Sequence, residues 1–391
     1  MSADTVRLAR VALACLVEPG DRDLGMLVRQ VGPVKGLGQL LDGGLSARLR
    51  DAARLRLGKD LPGGEVDPWR LARSVLDSAD RLGARVVIPE DNEWPSQLDD
   101  LIRIARPGAG RAVERNTDPP HCLWVRGTAA LDEAFDRAVA VVGARAASQY
   151  GTYVATEMAY GLANRGWTVV SGGAFGIDAA AHRAALGAEG LTAAVLASGL
   201  DRPYPLAHAN LFDRISEAGL LISEWPFGSA PHRLRFLIRN RVIAALTRGT
   251  VVVEAAHRSG ARQTLGRARA LGRAAMAVPG PVTSGTSMGC HEELREEGTR
   301  LVTDYKEVLE EVGRIGDDLT TPARGPQRPH DTLDPLSNQL LDAVLPRRVR
   351  TAEEIAAAAG VTGTEARRTL PMLVEAGFVV EHDGGYRLAR R

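Results

Sequence analysis

Asp178 and His182 stand four residues apart in the stretch "VVSGGAFGIDAAAHRAAL" (169–186), one helical turn if the alanine-rich run is helical. A carboxylate and an imidazole at that spacing can relay a proton or ligate a metal. No third ligand stands at a supporting spacing, so neither a metal site nor another cofactor is expected. An acid in the first helical turn also suits the macrodipole, and this favours Asp178 as a brace of the preceding loop with His182 supporting it. That loop is the more telling feature. Ser171, Gly172, Gly173 and Gly176 enclose Ala174 and Phe175 just before the helix. Glycines there let backbone amides approach an anion. The stretch leaves open whether the anion is a nucleotide to be cleaved or a nucleic-acid phosphate to be held.

Further candidates fall at the ends of other apolar runs. Gly143 and Arg145 follow "AVAVVG", Ser259 and Gly260 follow "VVVEAAHR", and Glu254 closes "GTVVVE". Glu254 can be catalytic, can accept hydrogen bonds from a neighbouring turn, or can pair with an arginine. Between residues 230 and 273 lie Arg233, Arg235, Arg239, Arg241, Arg248, Arg258, Arg262, Arg267, Arg269 and Arg273, with Glu254 as the only acid. Such a block suits a groove that tracks phosphates. Within "PHRLRFLIRNRVIAAL", Arg233, Phe236 and Arg239 recur every three residues, so one helix face can offer cation, ring, cation; Asn240 and Arg241 follow. Bases stack on such a ring while arginines hold flanking phosphates. Equally, Phe236 can be a core residue among Leu237, Ile238, Val242 and Ile243.

The elements that must position these residues are legible as alternating runs. Strands are expected at 138–143, 167–172, 192–198, 219–224, 249–255 and 274–280, and helices at 150–165, 176–188, 208–217, 236–247 and 260–271. Continuous apolar strands alternating with helices imply an α/β fold with a parallel sheet buried on both faces. Ligands then bind at the carboxyl ends of the strands. Residues 1–60 read as short helices joined by Pro/Gly turns, with Gly32, Gly36 and Gly38 faintly like a helix-hairpin-helix. A turn-rich connector follows, then a short strand at Leu123–Val125 after Pro119–Pro120. The polar stretch 313–331 reads as a linker. Beyond it, "TAEEIAAAAG", "TGTEARRTLPMLVEAG" and the hairpin "FVVEHDGGYRL" follow the order of a winged helix.

Composition narrows the classes. The chain has 391 residues and a formal net charge of +1, so an anion-binding surface must be local. Lys35, Lys59 and Lys306 are the only lysines among 49 basic residues, which discounts arguments from arginine number alone. Cys15, Cys122 and Cys290 lie far apart without a CxxC pair, against a disulfide framework or structural zinc and in favour of a cytoplasmic protein. No run has the length of a membrane span or the core of a signal peptide.

Together, "AVVGAR", "SGGAFGIDAAAH", "SGLDRPYP", "LISEWPFG", "FLIRNRVIAALT", "VVVEAAHRSG" and "GRAAMAVPG" resemble, in order and spacing, the DNA-processing protein A (DprA, or Smf) family of bacteria. The resemblance implies an extended Rossmann-like domain at 79–312. It also implies a small helical, SAM-like domain at 1–78, a linker at 313–331 and a winged helix at 332–391. It further implies a homodimer, formed through the Rossmann-like domain, that binds single-stranded DNA. Such a dimer protects incoming strands and helps load the RecA recombinase in natural transformation, with no known catalytic step. Carried over by residue, the DNA pocket would comprise Gly143, Arg145, the loop Ser171–Gly176 with Phe175, Arg233, Phe236, Arg239, Asn240, Arg241, Ser259, Gly260 and Arg262. The chain departs from the pattern at Ala144, where serine is common, at Phe175, where a basic residue is common, and at "ARQT" after Gly260. Arg262 is expected to restore the charge missing at Phe175.

Two other functions compete. A nucleotide hydrolase resembling the lysine-decarboxylase-like phosphoribohydrolases needs a glutamate at the helix start after "TVVVE"; Gln263 and Thr264 stand there instead. A transcription regulator would act through Thr364, Arg367 and Arg368 of the tail. A nicotinamide dehydrogenase is disfavoured, because "VVGARAASQYG" is not GxGxxG.

Overall fold

The computed structural model describes residues 2–42, 49–53, 67–104, 116–314, 318, 330 and 333–389. The expected linker at 313–331 lies almost wholly outside them. The chain divides into two compact units, Met1–Thr320 and Thr321–Arg391.

The first unit is built on a nine-stranded sheet: β1 Ala84–Val87, β2 Leu123–Arg126, β3 Ala138–Val142, β4 Thr168–Ser171, β5 Thr192–Leu196, β6 Leu220–Ser223, β7 Gly249–Val252, β8 Ala274–Ala277 and β9 Thr299–Leu301. Their spatial order is β1-β2-β6-β5-β4-β3-β7-β8-β9. From β6 to β9 every pairing is parallel, whereas β2 runs antiparallel to both β1 and β6. The parallel, Rossmann-like core is as the alternating runs require. Two strands were not expected. β1 lies inside the turn-rich connector, and β9 is a three-residue edge strand with an exposed Leu301, too short and too wet to show a buried-strand pattern.

Residues of β3 show why the sheet needs cover on both sides. Ala138, Ala140 and Val142 join one apolar cluster, while Val139 and Val141 join another on the opposite face. Helices α1 Ala3–Leu16, α2 Arg22–Val31, α3 Pro33–Asp42 and α4 Pro68–Arg81 precede the sheet. The crossovers are α5 Gln149–Asn164, α6 Ile177–Gly187, α7 Ala209–Ala218, α8 Arg233–Leu246 and α9 Gly260–Ala270, and α10 Tyr305–Val312 closes the unit. The N-terminal helices do not form a separate core. Leu13, Leu16, Leu24 and Leu40 share one apolar cluster with Leu196, Phe212, Ile215 and Leu221 of β5, α7 and β6. The expected boundary at residue 78 therefore falls inside one unit. Among the described residues no helix is long and apolar enough to cross a membrane.

Strand order reverses beside β3, which is flanked by β4 and β7. At such a switch point the connections leave toward opposite faces and open a crevice at the strands' carboxyl ends. The turns after β3, β4 and β7 all meet there.

The second unit carries α11 Pro335–Ala343, α12 Ala352–Ala359, α13 Gly363–Glu375 and an antiparallel hairpin, β10 Val379–His382 with β11 Gly385–Leu388. Capping boxes at Thr351/Glu354 and Thr362/Glu365 start α12 and α13. Asp383 and Gly384 hold positive φ at the two-residue turn. Leu340, Ile355, Leu370 and Leu373 form its own apolar cluster. Removing residues 1–78 should expose Phe212, Ile215 and Leu221 and give an aggregating, dye-binding protein, whereas 330–391 alone should unfold cooperatively. Solubility and 1-anilinonaphthalene-8-sulfonate fluorescence check both.

Candidate nucleic-acid interface

A cleft of about 710 Å³ occupies the switch point. The turn after β3 lines it with Gly143 and Arg145, the glycine loop with Ala174, the start of α6 with Asp178, and α8 with Arg233, Phe236, Arg239 and Asn240. Ser259, Gly260 and Gln263 at the start of α9 complete its wall. Backbone bonds tie the three turns together: Ala144 N donates to Glu254 O at 2.8 Å, and Ile177 N to Ala144 O at 3.2 Å. Gly176 has φ +75°, and a Cβ there would come within 2.3 Å of Ala144 O, so only glycine fits the approach.

The glycine loop is held from beneath by two opposite charges. Asp178, 6% exposed, accepts hydrogen bonds from Gly172 N (3.1 Å) and Ala174 N (3.3 Å). Arg239, 5% exposed, donates to Gly172 O (2.8 Å) and to Val195 O. Burial raises the Asp178 carboxyl above its usual range despite the nearby guanidinium, and burial lowers Arg239 to about 10. Arg239 therefore braces the loop as well as lining the cleft. Ser171 is structural too: its fully buried hydroxyl donates to Val141 O at 2.7 Å.

Several expected site residues lie elsewhere. His182 does not support Asp178. Its Nδ1 lies 2.7 Å from the Thr192 hydroxyl, which itself donates to Val169 O, so the imidazole must be the donor. Burial depresses this ring to about 3. Arg241 is absent from the cleft wall: fully buried, it forms a bidentate pair with Glu224 at 2.5 and 2.7 Å. Arg262 turns away to Glu292 (2.6 Å) and Glu293 (2.7 Å). Glu254 is hydrogen-bonded to a turn rather than to an arginine, accepting from Ser148 N (2.9 Å), Ser148 Oγ (2.6 Å) and Thr286 Oγ1 (2.9 Å).

The arginine block is less uncompensated than its sequence suggests. Arg235, Arg241, Arg248, Arg262, Arg269 and Arg273 pair with acids outside the 230–273 window, namely Glu18, Glu224, Asp136, Glu292, Glu293 and Asp100. Arg239 and Arg267 bond backbone carbonyls. Arg233 and Arg258 stay exposed on the cleft wall without an ion pair among the described residues. Exposed Arg145 joins them, its guanidinium 5.0 Å from the centre of the Phe236 ring. Phe236 is half-buried: it rests on Ala197, Trp225 and Ile238 while also lining the cleft.

Helix starts add to the field. Ser259 caps α9 through its hydroxyl, whereas Gly176 and His232 cap α6 and α8 without a side-chain bond. All three N-termini border the cleft, and helix N-termini favour anions.

Glu18 was not foreseen. It accepts from Arg235 Nη2 (2.6 Å) and Trp225 Nε1 (2.9 Å), and Arg235 lies 5.7 Å over the Trp225 ring. This fixes the first turn of α8, although Glu18 and Arg235 are 217 residues apart. No local pattern could show the pairing. Tyr204, on the cleft wall, belongs to the quoted "SGLDRPYP" but carried no chemical signal of its own.

Fold and cleft together define a Rossmann-like protein with a guanidinium-lined cleft at its switch point. Residues 85–313 match the family described as DNA recombination-mediator protein A. A DNA processing protein DprA of Mycobacterium tuberculosis is 43% identical over 387 residues, covering 99% of this chain and 95% of that protein. The DprA of Streptococcus pneumoniae is 44% identical over 194 residues, covering 50% and 67%. The crystal structure of the S. pneumoniae DprA superposes with a TM-score of 0.57 at 30% identity, covering 80% of this chain and all of that one. The chain belongs to the DNA recombination-mediator protein A family, and its role is DNA processing.

Removing Glu224 would leave the Arg241 charge buried without a partner. Glu224→Ala should cost about 3–5 kcal/mol, and the double replacement Glu224→Leu with Arg241→Met should cost less, as read from denaturant midpoints. His182 gives a pH dependence of known sign. Below about pH 6.5 the unfolded imidazole binds a proton that the folded ring refuses until about 3. Stability should therefore fall with acidification through that window by up to about 1.4 kcal/mol per pH unit from this residue. His182→Gln should flatten the slope in denaturation curves taken between pH 4 and 7.

Proposed function

We propose that this chain binds single-stranded DNA in the switch-point cleft and works without a catalytic step or bound cofactor. As a homodimer through its Rossmann-like domain, it protects incoming strands in the cytoplasm and helps load the RecA recombinase during natural transformation and recombination. The observation that carries this reading is the company of Phe236. A half-buried ring lies beneath Arg145 and lines the same cleft as the exposed Arg233 and Arg258, which three helix N-termini border. Phosphates suit the guanidinium groups and the helix starts, and a ring face suits a base that is not already stacked in a duplex. The names of the relatives, DNA processing proteins, agree with this.

The rival hydrolase reading requires a carboxylate facing the cleft from the start of α9. Gln263 and Thr264 occupy that start, and Glu254 is engaged by Ser148 and Thr286. The tail's three helices and hairpin support a winged-helix assignment. There Arg367 pairs with Glu353 and Glu365 is bound into its capping box, so the candidate recognition helix offers little net charge. This favours a protein contact over duplex binding.

Titration of fluorescent oligonucleotides against salt tests the proposal. Single strands should bind more tightly than duplex. If Arg145, Arg233 and Arg258 each neutralise one phosphate, log affinity should fall against log salt with a slope of about −2. Arg145→Ala should shrink the slope by about 0.7 without lowering thermal stability. Equal affinity for both forms, or affinity indifferent to salt, overturns the reading. Release of base from nucleoside monophosphates, abolished by Glu254→Gln, would establish the hydrolase.

A further inference from the structure

Two aromatic rings, one on the cleft wall and one beside it, have no part in the site as built so far. Phe175 and Tyr204 are each 46% exposed. Phe175 is nevertheless held in place. Its ring meets the buried His208 ring at 4.6 Å and 63°. His208 Nδ1 donates to Gly173 O at 3.0 Å, and its ring lies 6.2 Å from Phe212. The glycine loop thus supplies both the ring and the support that orients it. Tyr204 tilts against Phe236, with centroids 5.6 Å apart. Phe175, Tyr204 and Phe236 share the walls of one small hollow with Arg145 and Gly172. Arg145, Tyr204 and Phe236 also line the main cleft, so hollow and cleft are continuous.

Exposed rings cost hydration free energy unless a ligand covers them. What covers these must have a flat apolar face and must continue from an anion seated among guanidinium groups. A nucleobase next along a single strand has that chemistry. We infer that Phe175 and Tyr204 form a second stacking platform, taking the base adjacent to the one on Phe236 at the glycine-loop end of the cleft. The inference rests on the single-stranded DNA reading. It adds a contact of a different physical kind, since stacking releases no counterions and leaves the salt slope alone.

That difference provides the test. Full-length protein is titrated with a short oligothymidylate and with an abasic sugar-phosphate strand of equal length, each across a salt series. Phe175→Ala and Tyr204→Ala should each weaken oligothymidylate binding about tenfold with an unchanged salt slope, and should leave binding of the abasic strand unaltered. Phe175→Leu keeps an apolar contact on His208 but loses the π face, and should behave as Phe175→Ala does. Thermal melts of all variants should match the parent. Wild-type affinity in Phe175→Leu, or an equal loss on the abasic strand, overturns the platform and makes the ring a loop support. In that case the parent still binds single strands, whereas a parent that binds neither strand overturns the DNA reading itself.

Discussion

The close approach of the Arg239 guanidinium to the backbone of Gly172 is the contact on which the cleft depends. Any side chain at 172 would place its Cβ within 2.4 Å of that group. With glycine there, one guanidinium takes carbonyls from β5 and from the loop, while Asp178 takes two loop amides from the other side. The loop is fixed as backbone rather than as side chains. Its amides and its single exposed ring then stand in one arrangement before any ligand arrives. Preorganisation of this kind reduces the ordering cost of binding.

Arg239 can do this only if α8 is correctly placed, and α8 is placed from its buried flank. The Glu18–Arg235–Trp225 contacts and the Glu224–Arg241 pair hold the first and third turns of that helix through side chains that do not line the cleft. Consecutive arginines of one sequence motif thus have opposite duties. Arg233 faces the cleft, Arg235 anchors to the N-terminal region, Arg239 supports the loop and Arg241 neutralises a buried acid. Helical spacing distributes them, and the sign of the charge alone does not say which duty each takes.

The same separation explains what was legible in the sequence. Buried parallel strands announce themselves as apolar runs, and every strand from β3 to β8 was found near its observed bounds. The positions of Gly143 and Arg145 followed from where those strands end, and that of Phe236 from its three-residue spacing with Arg233 and Arg239 on one helix. Charge was harder to read. A window with a single acid looked uncompensated because its partners, Glu18, Asp100, Asp136, Glu224, Glu292 and Glu293, lie outside it and come near only through the fold. Local reading also placed His182 with Asp178, when the sheet brings Thr192 to the imidazole from the neighbouring strand. The N-terminal helices looked separable because their amphipathic faces are complete in sequence; what those faces cover, Leu196, Phe212 and Leu221, is visible only in three dimensions.

Among the described residues, the cleft's exposed cations are guanidinium groups and its walls contain no lysine. Acyl transfer to side-chain amines, a common way for cells to erase positive charge, therefore has no target there. The electrostatic character of the cleft is written into the coding sequence and is insulated from that route of control. Amine-reactive dyes would likewise leave the cleft unlabelled, so a reporter attached through Lys35 or Lys306 would add no bulk to its walls.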